Sequence, residues 1–226
     1  MMEQTKKGFL ASFLDGLYFN NPVLSLFLGL TLAVLATTRF QTALFVGLLT
    51  LVILFLSVLA VSLCHSFLSK IGATIFAAII SACLSTLAVL LLVAFAPKLI
   101  DANNEKALAL LTLVPFISVT SLVLVKGQES LDHTLEDNLG DALGSGIGFL
   151  LALVVIGFVR ELLATGSITF TALDGTASTW IAWKGWTLSI LAQPFGGFFL
   201  VAIFSGIHLA IIEMKKHKAP VAEEAK

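Results

Sequence analysis

The sequence predicts an all-α integral membrane protein with six transmembrane helices, and three observations carry that prediction. Hydrophobic residues make up 58% of the 226 and charged residues only 12%, where a soluble domain carries about 25% charge. The apolar residues fall in long blocks without period-two alternation, which favours helices over a barrel. Short polar connectors separate the blocks. Nearly all the mass is then membrane-embedded, which leaves no room for a soluble catalytic domain. A formal net charge of −1 gives no sign of a nucleic-acid partner. Lys6 and Lys7 precede no short apolar core with a small-residue cleavage site, so no signal peptide is expected.

The first element is expected over Val23–Thr38, and it is short. Its apolar part, Val23 to Ala36, is 14 residues, while a spanning helix needs about 20. The second, Thr42–Cys64, is a clean run ending at His65 and Lys70. The third, Ile71–Ala96, stops at Pro97 and Lys98, before the polar "KLIDANNEK". The fourth, Ala107–Val125, is interrupted by Pro115, which removes a backbone hydrogen bond and tends to break a helix. The acidic stretch "KGQESLDHTLEDNLGD" reads as a solvated connector or a docking face, without the spacing of a calcium loop. The fifth element, Ala142–Val159, ends at an Arg160–Glu161 ion pair. A loop with Trp180, Trp183 and Trp186 leads to the sixth, Leu188–Ile212, and then to a charged tail.

The chain thus divides into an N-terminal cytoplasmic segment (1–22), four membrane elements (23–125), the acidic cytoplasmic connector (126–141), two further elements (142–212) and a charged cytoplasmic tail (213–226). With both termini in the cytoplasm, Lys6, Lys7, Lys70, Lys126, Lys215, Lys216, Lys218 and Lys226 lie inside. Arg39, Lys98, Lys106, Arg160 and Lys184 lie outside, so the basic bias points inward. The three tryptophans then fall at the outer interface. Elements one and four are both irregular and both end at a basic residue, Arg39 or Lys126. Three elements per half force the halves into opposite orientations. This is the pattern of two inverted three-helix repeats, with half-helices in segments one and four meeting inside the bilayer.

The stretches "NNPVLSLFLGL", "TTRFQTAL", "GFVRELLATGSI" and "AQPFGGFF" resemble the D subunit of sodium-translocating NADH:quinone reductase and the E subunit of the Rnf electron-transport complex. The resemblance runs in order over roughly residues 17–212. It implies a six-helix subunit of a bacterial or archaeal cytoplasmic membrane complex that couples electron transfer to cation movement. It further implies a paralogous six-helix partner of opposite topology (the A subunit of the Rnf complex or the E subunit of the reductase), other redox subunits, and surrounding lipid. In that family each partner gives two cysteines, and four thiolates hold a 2Fe–2S cluster in the membrane. Here Thr31 follows "LGL" where the first cysteine belongs, and Leu122 stands at the second. The resemblance implies the fold and the complex, while the sequence lacks the cluster's ligands, so no cofactor is expected on this chain alone.

Cys64 and Cys83 form no CxxC pair and sit on the order of 18 Å apart in depth by helix rise, so they read as small hydrophobes. "GSGIG" from Gly144 lacks the Lys-Ser/Thr of a phosphate loop and reads as a close-packing surface. Ionisable residues beside membrane helices make Arg160, Glu161, Glu213 and His208 candidates for an ion path or a partner contact, against structural pairing. Asn20, Asn21 and Pro22 read as caps of a half-helix. A second class of function, a stand-alone transporter reusing the fold, would use the hydroxyls of Thr31, Thr37, Thr38, Ser118, Thr120 and Ser121 as a polar site. An assembly factor is a third reading.

Overall fold

The computed structural model describes residues 8–95, 105–171, 176–182, 185 and 187–223. The polar loop over 98–104, Trp183, Lys184, Trp186, Lys6, Lys7 and Lys226 lie outside them. Eight helices follow in order: α1 (Phe9–Leu14), α2 (Leu30–Ala36), α3 (Phe40–Leu63), α4 (Lys70–Phe95), α5 (Glu105–Phe116), α6 (Ser121–Glu129), α7 (Leu135–Thr165) and α8 (Pro194–Glu223). Between α7 and α8 lies an antiparallel hairpin, β1 (Ser167–Thr171) with β2 (Ala177–Ala182). Among the described residues, five helical stretches are long and apolar enough to cross a membrane: Phe40–Leu63, Lys70–Phe95, Leu111–Glu129, Leu135–Thr165 and Pro194–Lys215. The chain is a multi-pass, mainly helical membrane protein.

The core is built by α3 and α7. Val46, Ile53 and Leu54 of α3 pack with Phe149, Leu153 and Ile156 of α7, and Leu32, Val34, Ile117 and Leu122 close over them. Glycines permit the approach. A Cβ on Gly157 would meet Ala43 at 2.8 Å, and one on Gly47 would meet Leu150 at 2.7 Å. By contrast α4 exposes Ile71, Ile75, Ile79, Leu87 and Leu90, which in hydrocarbon costs nothing. It buries only Ala73, Ala77, Ser81 and Ser85, spaced by four. Against this small-residue seam lies α6, whose Gly127 has no room for a side chain beside Ala77.

Two elements depart from expectation in a way that matters. Residues expected in a cytoplasmic segment form α1, which continues through Asp15–Phe19 in a π-helical turn. This helix runs parallel to α7. Gly140, Gly144 and Gly148 present bare backbone to it, and a Cβ on each would collide with the carbonyl of Phe9, of Phe13, or with Asn21 and Leu17. Further along, α2 reaches Arg160 of α7. The first element therefore accompanies α7 from Gly140 to Arg160, about 30 Å by helix rise. The apolar run from Val23 covers only the later part of the stretch that accompanies α7.

The second departure is α7 itself. It starts at Leu135, inside the expected connector, and continues to Thr165, past the expected end at Val159. Thr134 caps it, its hydroxyl accepting from the Asp137 N–H at 3.4 Å and donating to the Asp137 carboxylate at 2.7 Å. Asp137 and Asn138 are thus buried rather than solvated. The hairpin is likewise absent from an all-α expectation. Trp180 on β2 is exposed and stacks on Phe170 of β1 at 5.4 Å.

The glycine seam makes a direct prediction. Gly144→Val should cost at least about 1–3 kcal/mol through forced separation of α1 from α7, visible as a lowered Tm in detergent. Gly206→Ala, where nothing lies within 4 Å, should leave Tm within about 0.5 kcal/mol equivalent of the parent.

Candidate functional site at the two helix breaks

Chain direction is interrupted twice, and the interruptions meet. After α1 the backbone leaves helical geometry at Asn20 and regains it at Leu30. Phe27 within this stretch has φ 55, a strained value for a bulky side chain, and Gly29 has φ 69. The second break follows Pro115. A 3₁₀ turn, Ile117–Val119, is followed by an extended Thr120, and α6 begins at Ser121. The Gly29 N–H donates to Ser121 Oγ at 2.9 Å. Beside that bond, a Cβ on Gly29 would lie 2.9 Å from the Phe149 ring and 3.7 Å from Leu122 Cβ. Phe149 is nine residues from Gly140 and eleven from Arg160, so the junction sits midway along the 30 Å stretch. From it α2 runs toward Arg160 and α6 toward Asp141.

Irregular backbone in a bilayer has no water to bond, so side chains must satisfy it. Asn21 does the largest share. Its Oδ1 accepts from the N–H groups of Val23 and Leu24, both at 3.1 Å, and its Nδ2 donates to Gly148 O at 3.1 Å. It therefore caps the turn inside the break. The N-cap of α2 is Gly29. Asn20 ends the π-helical turn, its N–H bonding Asp15 O at 2.7 Å, and Pro22 is buried. From α8, Ser205 donates to Leu24 O and His208 Nε2 bonds Tyr18 O at 2.9 Å. A carbonyl can only accept, so His208 carries its proton on Nε2. Lys215 lies over the Tyr18 ring at 4.5 Å. Glu213 is exposed on α8.

Arg160 and Glu161 do not pair with each other. Arg160 is fully buried, and each of its five N–H groups has an acceptor. Nε donates to Leu191 O at 2.8 Å. Nη1 donates to Val34 O at 2.6 Å and Thr37 Oγ1 at 3.0 Å. Nη2 donates to Ala192 O at 3.3 Å and Gln193 O at 2.9 Å. The charge thus sits on carbonyl dipoles at the end of α2 and in the turn before α8. Gly197 of α8 makes the room, since a Cβ there would lie 2.8 Å from Nη1. Glu161 faces the other way. Its Oε2 accepts from the Phe40 N–H at 2.7 Å, at the start of α3, and its Oε1 from the N–H and hydroxyl of Thr169 at 3.2 and 3.3 Å. Two adjacent residues therefore hold the turn Thr37–Arg39 from both sides: one at the carbonyl end of α2, the other at the amide end of α3. Arg160 keeps no free donor for a partner.

Toward the other end of α7 lies a recess of about 260 Å³, lined by Asp15, Asn20, Glu129, Asp137, Asp141 and the buried Lys126. Lys126 pairs with Asp141 at 2.8 Å and Glu129 at 3.1 Å, tying α6 to α7. Nothing in the sequence pattern announces this bond, because so dense a run of acids reads as a solvated connector.

The donors at the junction do not suit an iron–sulfur cluster. Thr31 offers a hydroxyl on an exposed face, while Leu122 offers hydrocarbon and is fully buried. Cys64 ends α3 and Cys83 lies on an exposed face of α4, neither of them on α2 or α6. Among the described residues no three His, Cys, Asp or Glu side chains gather as a metal site.

Substitution separates the roles of the adjacent pair. Arg160→Met removes all five of these bonds and should cost about 3–5 kcal/mol, read as loss of monodisperse protein or a large fall in Tm. Glu161→Gln keeps one acceptor and should cost only about 1 kcal/mol.

Comparison with known proteins fits this geometry. The family model described as "Rnf-Nqr subunit, membrane protein" matches residues 9–205, beginning at the first residue of α1. The chain is 30% identical over 214 residues to the E subunit of the Na(+)-translocating ferredoxin:NAD(+) oxidoreductase complex of Acetobacterium woodii, covering 94% of this chain and 100% of that protein. It is 36% identical over 169 residues to the E subunit of the ion-translocating oxidoreductase complex of Shewanella frigidimarina, covering 74% and 69%. The protein of the same description in Methanosarcina acetivorans is 30% identical over 160 residues, covering 70% and 72%.

Proposed function

Because the chain belongs to the Rnf-Nqr family of membrane subunits, we propose that it is a structural membrane subunit of an ion-translocating electron-transport complex. The observation that carries this reading is the junction of two broken helices at mid-depth, held by bonds that fix the breaks in place. Segment one is the sixth crossing in this reading, made of α1, the break and α2. Segments one and four are then counterparts in two inverted repeats, since α2 and α6 leave the junction in opposite directions. Arg160 and Glu161 act here as positioning residues that set the half-helix α2 against α3 and α8.

The complex lies in a bacterial or archaeal cytoplasmic membrane, with the N-terminus and the C-terminus inside. A paralogous six-helix chain packs beside this one, and flavin- or iron-bearing subunits complete the assembly. Relatives named as subunits of multi-subunit complexes support this. Ferredoxin and NAD(+), which the Acetobacterium protein's name contains, and Na(+) as the moved ion are the first substrates to assay.

The experiment is purification of the tagged chain from its native membrane in mild detergent, with mass spectrometry of what accompanies it. Flavin- and iron-bearing subunits together with a second six-helix chain are the expected result. Purification alone, or as a homo-oligomer with no redox subunit, would sink the complex and leave solute uptake by a stand-alone transporter as the activity to measure.

A further inference from the structure

We propose that the helix-break junction of this chain is a metal-free docking seam, where Thr31 and Ser121 hydrogen-bond to a second membrane chain and no iron ligand comes from this side. The inference rests on the reading above that a second membrane chain packs here.

Three observations converge. First, the junction is filled rather than open. Leu122 is fully buried, Phe149 lies over Gly29, and the Ser121 hydroxyl already accepts the Gly29 N–H. A metal centre needs thiolates aimed out of this packing, and the buried position carries hydrocarbon.

Second, the residues that do face outward are hydroxyls. Thr31 and Ser121 are both exposed. The Thr31 hydroxyl makes no hydrogen bond among the described residues, and Ser121 still has a proton to donate. Mid-depth hydrocarbon supplies no partner for such groups, so they are satisfied against protein.

Third, the backbone is strained to shape this face. Phe27 adopts φ 55 and is 47% exposed, flanked by the exposed Leu26. A bulky residue is held at positive φ only where the surroundings over-determine it. The surface around the junction thus carries exposed apolar side chains and two hydroxyls. Lipid would suit the first and leave the second unbonded. A protein helix bearing a hydrogen-bonding side chain at mid-depth suits both, and that is the occupant.

The test uses the complex purified through a tag on this chain. Three quantities are measured for wild type, Thr31→Val and Thr31→Ser: the ratio of the second membrane chain to this one, iron per second chain, and the electron paramagnetic resonance spectrum after reduction. Thr31→Val should weaken retention of the second chain about threefold, the worth of one interhelical hydrogen bond in a membrane, and Thr31→Ser should restore it. Iron per second chain and spectrum should be the same in all three. A loss of iron per second chain or a changed spectrum in Thr31→Val would mean that this chain ligates a cluster after all. Equal retention in Thr31→Val and wild type would mean that the hydroxyl makes no contact. Either result overturns the seam while leaving the complex intact. A wild-type chain that brings no second membrane chain overturns the complex reading itself.

Discussion

A fully buried guanidinium that pairs with no carboxylate among the described residues is the interaction on which this architecture turns. Desolvating a charge costs several kcal/mol unless every donor is met, and at Arg160 every donor is. Its acceptors belong to three segments: the end of α2, the Thr37 hydroxyl and the stretch Leu191–Gln193. Remove the guanidinium and these groups lose the donor that ties the three segments together. Remove the broken helices and the charge has no reason to be there. Each defect is the solution to the other, which is why the half-helix, the tight turn and the entry into α8 form one unit.

The same rule accounts for several polar residues at and beside the breaks. Asn21, Ser121, Ser205 and His208 all bond backbone atoms of the irregular stretches. Gln41 repeats the device at the hairpin, donating to Thr171 O at 2.7 Å and accepting its N–H at 2.9 Å. This seals one edge of β1 against α3. Such residues resemble catalytic candidates in a sequence, being polar and set in apolar surroundings. Their bonds show that backbone satisfaction is enough to explain their presence.

Hydropathy makes α3 and α4 legible almost to their ends, because an uninterrupted apolar run of membrane length admits few alternatives. Half-helices escape that test. The helix α1 with its π-helical turn contains Asp15, Gly16 and Tyr18 and is too short to stand out, although the Gly140, Gly144, Gly148 spacing in α7 announces that some backbone must pack there. The early start of α7 is also written in the chain. Thr134 followed by Asp137 has the form of a helix cap, yet the density of acids makes the stretch look solvated. The hairpin leaves a signal too, in the alternation "SITFT". It is masked by the tryptophans, whose membrane-interface reading needs no strand. The motifs "TTRF", "GFVREL" and "AQPFGG" are recognisable as separate blocks. Only the fold reveals that Thr37, Arg160, Glu161 and Gly197 lie in one cluster.

That cluster bears on why the chain keeps the family's architecture with a threonine at position 31 and a leucine at position 122. None of the bonds that position α2 or α6 involves position 31 or 122. The junction is held by Gly29 with Ser121, by Asn21 on the first break, by Ser118 and Thr120 bonding back to Pro115 and Ile117 on the second, and by Arg160 at the far end of α2. A change of side chain at position 31 leaves all of these intact, and Leu122 adds buried apolar surface to the core that contains Phe149. In a bilayer the stringent demand falls on the stray backbone groups, and once those are met the exposed side chains at the junction are free to change their chemistry.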